Sequence, residues 1–371
     1  MNKNAANAAN LIVSEEAAKR GTSERHAILS NKKYKKERQS FKQLIERNRA
    51  SGGYLFKKNA GHVIFVFLRA LLLFGLCFLI LQPLLNKVSL SLMTESDLFD
   101  STVVNIPRNF TTDNYTLAAD LLRANYHATF WNALFWTFVM SLAVALCQVA
   151  SCTVVGYGFA RFKFPLKRFW FICVMVLILV PPQTIMSSLY LHFALFDVFG
   201  IFNALTGQPY NMLQSPAPYL LMSLTCMGLK NGLYIYMLRQ YFRGVPKELE
   251  EAAYVDGCGR FKTFYRIMLP DAKAMIVSCF LFSFVWQWTD GIYTNLFLRN
   301  MHLLSSSVDS IQESLRSWFL SEYGLGARPS SGLQEQMVAT GMLMFIAPLL
   351  ILYLVAQKGF VESLSQSGIK M

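Results

Sequence analysis

The sequence predicts an all-α membrane protein, a bundle of six transmembrane helices with one long polar loop between the fourth and the fifth. Three observations carry that prediction. Apolar residues fill 54% of the 371 positions and charged residues only 15%, where soluble domains carry about 25% charge. Six stretches approach the roughly 20 predominantly apolar residues that a helix needs to cross hydrocarbon. Lys and Arg are divided very unevenly between alternate connections, as they are in polytopic membrane proteins.

The six predicted spans are 63–85, 130–155, 169–190, 219–238, 274–297 and 338–355. The fourth is the weakest, because Lys230 and Asn231 interrupt it. Pro181-Pro182 in the third and Pro348 in the sixth predict kinks, since proline removes a helix hydrogen bond. Residues 1–62 form a basic arm, 63–357 the membrane domain and 358–371 a short tail.

Orientation follows from the charge count. Twenty-eight Lys and Arg fall on the side of the arm, the second-to-third loop, the fourth-to-fifth loop and the tail, and six fall on the other. This places both termini and the long polar loop on the cytoplasmic side of the membrane. The net charge of +13 is thereby read as topology and anionic-lipid contact rather than nucleic-acid binding. The arm carries Lys32, Lys33, Lys35, Lys36 and Arg38. Residues 31–50 predict a basic amphipathic helix on the bilayer surface, and the composition of 1–25 predicts little order. The long basic stretch ahead of the first span predicts no cleavable signal peptide.

Several chemistries are excluded. The seven cysteines contain no C-x-x-C pair and read as small buried hydrophobes rather than disulfides or metal ligands. The five histidines are scattered, and no nucleophile–base grouping points to catalysis. No G-x-x-x-x-G-K-[ST] phosphate loop is present, so the chain binds no nucleotide in that way and no cofactor is expected on it. Arg69, Lys230 and Asp290 are the ionisable groups within spans. Lys230 reads equally as part of a polar pathway or as a helix break, and Asp290 as an interfacial group. Trp286, Trp288 and Tyr293 read as an outer aromatic belt or as surfaces for sugar rings.

The polar loop, 246–270, holds the densest pattern. Pro246 opens a helix, and Glu248, Glu250 and Glu251 follow at its positive end. Ala252 and Ala253 offer a small surface. Asp256-Gly257 forms a turn, after which Phe261, Phe264, Tyr265 and Ile267 are expected to pack inward and Leu269-Pro270 to end the second helix. This string, EAAYVDGCGRFKTFYRIMLP, resembles the EAA loop of permease subunits of ATP-binding-cassette (ABC) importers. The resemblance extends to GYGFARFKFP at 156–165, similar to the Y-x-x-x-R-F-x-F-P signature of carbohydrate-type permeases, and to FVWQWTD at 284–290. The tail departs from the family pattern at Ser363, Ser365 and Met371.

The resemblance implies a carbohydrate-uptake permease of the maltose type, working by alternating access. It implies that Glu251, Ala252, Ala253, Asp256, Gly257, Phe264, Ile267, Leu269 and Pro270 receive a separate cytoplasmic ABC ATPase dimer. It further implies a second permease subunit in a heterodimer and an extracytoplasmic solute-binding protein. An EAA-type permease for amino acids or peptides, and an ion-coupled secondary transporter, are the alternative readings.

Overall fold

The computed structural model describes residues 49–50, 54–100, 102–104, 106–123, 129–197, 200–213, 215–298, 301 and 303–369. Apart from 49–50, which are helical, the predicted surface helix at 31–50 and the segment 1–25 lie outside them. The chain divides into two units, Met1–Pro83 and Leu84–Met371.

In the first unit, helix α1 (Tyr54–Ser91, continuing past Pro83) is apolar around its whole circumference. Ile64, Phe67, Leu72, Phe74 and Ile80 are all exposed. A helix hydrophobic on every side is stable only when something apolar surrounds it, and a window of its length and hydropathy is long enough to cross a membrane.

The second unit is helical, with two isolated bridges, Met93 with Phe110 and Phe196 with Tyr210, and no strand among the described residues. Helices α2 (Glu95–Phe99) and α3 (Asp113–Leu121) follow α1. Next come α4 (Phe130–Arg161), α5 (Lys167–Leu179), α6 (Pro182–Ala194), α7 (Ile201–Thr206), α8 (Ala217–Leu224) and α9 (Asn231–Gly244). Then α10 (Glu248–Val255), α11 (Arg260–Thr263), a π-helical turn (Phe264–Met268) and α12 (Leu269–Asp271) form the polar loop. Last are α13 (Lys273–Trp288), α14 (Ile292–Phe297), α15 (Leu304–Asp309), α16 (Ile311–Tyr323) and α17 (Ser331–Ile369).

Three of the described helices are long and apolar enough to span, at Ile64–Ser91, Phe130–Arg161 and Ser331–Gln357. Two bent pairs bring the count to five: α5 with α6, bent by 105°, and Arg260–Asp271 with α13, bent by 74°. The break at Pro181-Pro182 was expected, whereas α17 stays one helix through Pro348. The predicted fourth span is two short helices, α8 and α9, parted by a turn in which Cys226 and Lys230 both take positive φ. That turn leaves backbone carbonyls without helical partners, which hydrocarbon does not tolerate unless protein covers them. Side chains do so. Gln148 Nε2 donates to Leu229 O at 3.0 Å, Ser151 Oγ to Ser223 O at 2.7 Å, and Asn231 Nδ2 to Ser223 O at 3.2 Å.

Helix α4 is the centre, packed against α8, α9 and α13. One core joins Val149, Cys152 and Tyr157 of α4 to Tyr234, Ile235, Leu238 and Phe242 of α9 and to Met268 and Cys279. The α4–α9 crossing is close because Gly156 carries no side chain. A Cβ there would sit 2.9 Å from Leu238 Cβ and 3.2 Å from Arg239 N. Small residues permit such approaches where helix association lacks a hydrophobic driving force.

Asp97 organises the connection after α1. Its carboxylate accepts the backbone N–H of Asn109 (2.8 Å) and of Arg108 (2.9 Å) and the Asn109 side-chain amide (3.0 Å). The Asn109 N–H, with these companions, holds the Asp97 carboxyl below its ordinary value.

Two outcomes are expected. Gly156→Ala destabilises the protein by about 1–3 kcal/mol through overpacking, while Gly158→Ala, whose Cβ meets nothing closer than 4.0 Å, leaves it unchanged or slightly firmer; thermal unfolding in detergent measures both. A carboxyl with a depressed folded pKa contributes stability above its unfolded value, about 3.9, and loses it as pH falls through the folded value. Proteolysis of the 95–112 connection therefore rises below about pH 4 in the native chain and rises less in Asp97→Asn, where Asp100, held below its ordinary value by the Thr102 hydroxyl and N–H, still titrates.

Candidate functional site

The polar loop is built on α10, whose end is fixed by a Schellman cap. Cys258 N–H reaches Ala253 O (2.9 Å) and Gly257 N–H reaches Tyr254 O (3.1 Å), with Gly257 at φ +79°. Glycine takes that left-handed conformation without steric cost. The chain then re-enters helix at α11.

The two neighbouring acids of α10 have opposite fates. Glu251 is exposed, but Glu250 is buried and paired with Arg161 at the end of α4, Nε to Oε1 at 3.2 Å, with the two side chains 7% and 10% exposed. The two atoms are not aligned as a hydrogen bond, so the attraction is chiefly Coulombic. Arg161 Nη2 also donates to Val245 O at 2.6 Å, gripping the residue before Pro246. A helix of 32 residues is about 48 Å long against a hydrocarbon core of about 30 Å. α4 is thus longer than the hydrocarbon is thick by about three turns, and its final turn carries Arg161 to the loop.

Tyr157 lies one turn before Arg161, on the same face of α4. Its ring packs on Phe264 of the π-turn (centroids 4.7 Å apart) and on Phe242 of α9 (5.4 Å), and its buried hydroxyl lies within the field of Glu250. The Y-x-x-x-R spacing thus puts an aromatic and a cation together under α10. Sequence reasoning saw both residues and missed their partner, since Glu250 was read only as a helix-end acid.

Of the predicted site residues, Glu251, Ala252, Asp256, Gly257 and Pro270 are exposed. Ala253 is buried in the chain's own packing, so only Ala252 offers an open small surface. Phe264, Ile267 and Leu269 are half-buried. Phe261 and Tyr265 do not pack inward; they are 82% and 64% exposed. Thr263 and Met268 are the buried members of this stretch, because the π-turn changes the register that a regular helix would keep. Nor do Leu269-Pro270 end the element. The helix runs through Pro270 to Asp271 and breaks at Ala272, the wide turn accommodating a proline that has no N–H to give. Tyr241 of α9 braces the break, its hydroxyl donating to Asp271 O at 2.7 Å. Leu249, Tyr254 and Val255 join Phe261 and Tyr265 as exposed apolar groups on a loop that is otherwise charged.

Toward the far end of α13 the expectations divide. Trp288 and Tyr293 are core residues, Trp288 Nε1 donating to Phe345 O at 3.1 Å. Asp290 is buried rather than interfacial. It accepts Tyr219 Oη at 2.7 Å and the N–H groups of Ile292, Tyr293 and Thr294, starting α14. Lys230 marks the helix break, with its ammonium 4.7 Å from the centroid of the half-exposed Trp286. These two residues and Asp290 line a cavity of about 260 Å³. No group of metal-ligating side chains occurs among the described residues.

The model of one family, described as the binding-protein-dependent transport system inner membrane component, matches residues 152–357, more than half of the chain. The chain belongs to this family. The matched part of the permease starts within α4 ahead of Tyr157 and takes in the whole polar loop. A probable ABC transporter permease protein of Bacillus subtilis, YurM, is 24% identical over 216 residues, 58% of this chain and 61% of the relative. The arabinooligosaccharides transport system permease protein AraQ of Halalkalibacterium halodurans is 23% identical over 297 residues, 80% of this chain and 93% of the relative. The permease thus spans about three fifths of the first relative's length and nearly all of the second's. A chain in the crystal structure of a bacterial ABC transporter involved in the import of the acidic polysaccharide alginate shares the fold. Its TM-score is 0.54 at 17% identity, with 80% of this chain and 97% of that chain covered.

Removing one partner of a buried ion pair strands the other charge, at a cost of about 3–5 kcal/mol. Arg161→Met and Glu250→Gln should each lower thermal stability in detergent by that order. The double variant should recover most of the Glu250-dependent part, which a double-mutant cycle measures.

Proposed function

We propose that the chain is the membrane-spanning subunit of an ATP-driven importer for a sugar or oligosaccharide. In this reading it crosses the membrane six times, α8 with the turn and α9 making the fourth crossing, and α10 faces the cytoplasm. An ABC ATPase dimer docks on α10. A second permease subunit completes the pore, and an external binding protein delivers the solute. ATP hydrolysis belongs to the docked partner, so this chain contributes conformational change and no catalysis of its own.

The observation that carries the proposal is the anchoring of α10. A lever must be exposed where it is pushed and rigid where it transmits. Glu251, Ala252, Val255 and Gly257 form the open side, with Phe261 and Tyr265 beyond the turn. Glu250 and Ala253 form the closed side, tied to α4 by the Arg161 pair. A push on α10 therefore acts directly on the central helix of the bundle and, through the π-turn and the 74° bend, on α13. Such a bundle switches when a partner binds its two states unequally. The names of the relatives support the solute class, since AraQ is a permease for arabinooligosaccharides.

The test uses the chain co-expressed with its ATPase and second permease, with ATP hydrolysis measured against solute and binding protein. Glu251→Ala should leave membrane insertion and thermal stability intact while stimulated hydrolysis falls at least about tenfold, the scale of a docking contact worth about 1.4 kcal/mol. Gly257→Ala should act similarly, with an added strain of about 1–2 kcal/mol at the positive-φ position. Full coupling in both variants would sink the docking assignment, and transport that continues after ATP depletion but stops with an ionophore would replace it with ion-driven transport.

A further inference from the structure

A second opening lies at the same end of the bundle as α10 and plays no part in that anchoring. It is a cavity of about 700 Å³ between the end of α4, the 162–166 turn, the start of α5 and the end of α9. Five cations line it: Lys163, Lys167, Arg168, Arg239 and Arg243. No acidic residue lines it, and the sequence has none from 162 to 196 or from 230 to 247. Among the described residues no carboxylate pairs with any of the five.

The charges are also crowded. Arg243 lies within Coulombic range of both Arg239 and Lys167. Arg239 sits over Phe171, its Cζ 3.8 Å from the ring centroid, and its Nε is buried without a hydrogen-bond partner. A guanidinium fixed in place with an unused donor, beside four other cations, lacks an anion with several acceptor oxygens. The start of α5 at Lys167 adds the positive end of a 13-residue helix.

The walls say which anion. Phe159, Ala160, Phe164, Phe171 and Ile172 make the rest of the lining, and Ile172 continues into Phe169 and Trp170 on the exposed face of α5. A free anion has no use for that surface, whereas an amphiphile uses both parts at once. We propose that this cavity binds the phosphate headgroup of an anionic phospholipid, with the acyl chains lying along the outer face of α5. The site ties the inner end of α4 to α9 through a lipid, beside the loop rather than within it. It requires only that the chain sits in a bilayer, and it stands or falls independently of ATPase docking and of the solute.

Trp170, half-exposed beside the cavity, supplies the reporter. The full chain is reconstituted in phosphatidylcholine vesicles containing increasing fractions of brominated phosphatidylglycerol, with Trp170→Phe giving the background from the other tryptophans. Quenching of Trp170 is expected to saturate at a low phosphatidylglycerol fraction. In the triple variant Lys167→Gln, Arg239→Gln, Arg243→Gln the midpoint should rise by up to about a hundredfold, from the loss of three charges acting on one headgroup. Should that variant fail to fold, the exposed pair Lys163→Gln and Arg168→Gln should shift the midpoint in the same direction by a smaller factor. Identical midpoints in native and variant chains, or an equal midpoint for brominated phosphatidylcholine, would overturn the proposal. Reversal of quenching by millimolar inorganic phosphate would assign the cavity to a free anion instead, and reversal by a Glu-rich peptide would assign it to an acidic protein segment.

Discussion

The ion pair between Arg161 and Glu250 is the constraint on which the arrangement of the loop depends. Two opposite charges that lose their water compensate each other, so displacing either one leaves the other's charge buried and unpaired. Because Arg161 ends α4 and Glu250 opens α10, that local rule becomes a mechanical one. The same arginine holds Val245 O, and Tyr157 one turn below fixes the π-turn and α9 by ring contacts. Four segments distant in sequence are thereby referenced to the last two turns of one helix. An exposed pair in the same place would be screened by solvent and contribute little.

Much of the bundle was legible in the sequence, and the exceptions share a cause. Hydropathy finds α1, α4 and α17 because their apolar runs are uninterrupted. It finds the third and fifth spans as apolar stretches; Pro181-Pro182 marked the break in the third, but nothing marked the 74° bend just ahead of the fifth, since a sum over residues carries no direction. The fourth stretch departs most from a regular helix. Its apolar count hides a turn with positive φ at Cys226 and Lys230, and the only surface mark was the Lys-Asn pair that had weakened the prediction. Asp290 was misplaced for a related reason. Its environment is made by Tyr219 and by the backbone of α14, and neither is visible from its own neighbours in sequence.

Within the loop, what was legible is what local chemistry decides. Gly257 was read as a turn because the backbone there demands a conformation that glycine adopts freely, and the cap hydrogen bonds agree. The facing of Phe261 and Tyr265 was misread, because the π-turn breaks the regular period from which inward positions are counted. Glu250 was out of reach, as its partner lies on another helix far upstream. The functional assignment of the loop came from the resemblance; the distinction between its open and closed sides comes from the fold.

The turn between α8 and α9 bears on how the protein is made. Its carbonyls at Ser223 and Leu229 are covered by Gln148 and Ser151, both on α4, together with Asn231 of the same region. As the chain emerges from the ribosome, α4 is synthesised first, so its polar side chains are already in the membrane when the broken segment arrives. A pair of helices each too short to cross lipid alone can then be laid against a waiting template. The order of the elements along the chain is in that sense an assembly instruction, and a permutation that placed α4 after α9 would leave the carbonyls of the α8–α9 turn uncovered while that segment is made.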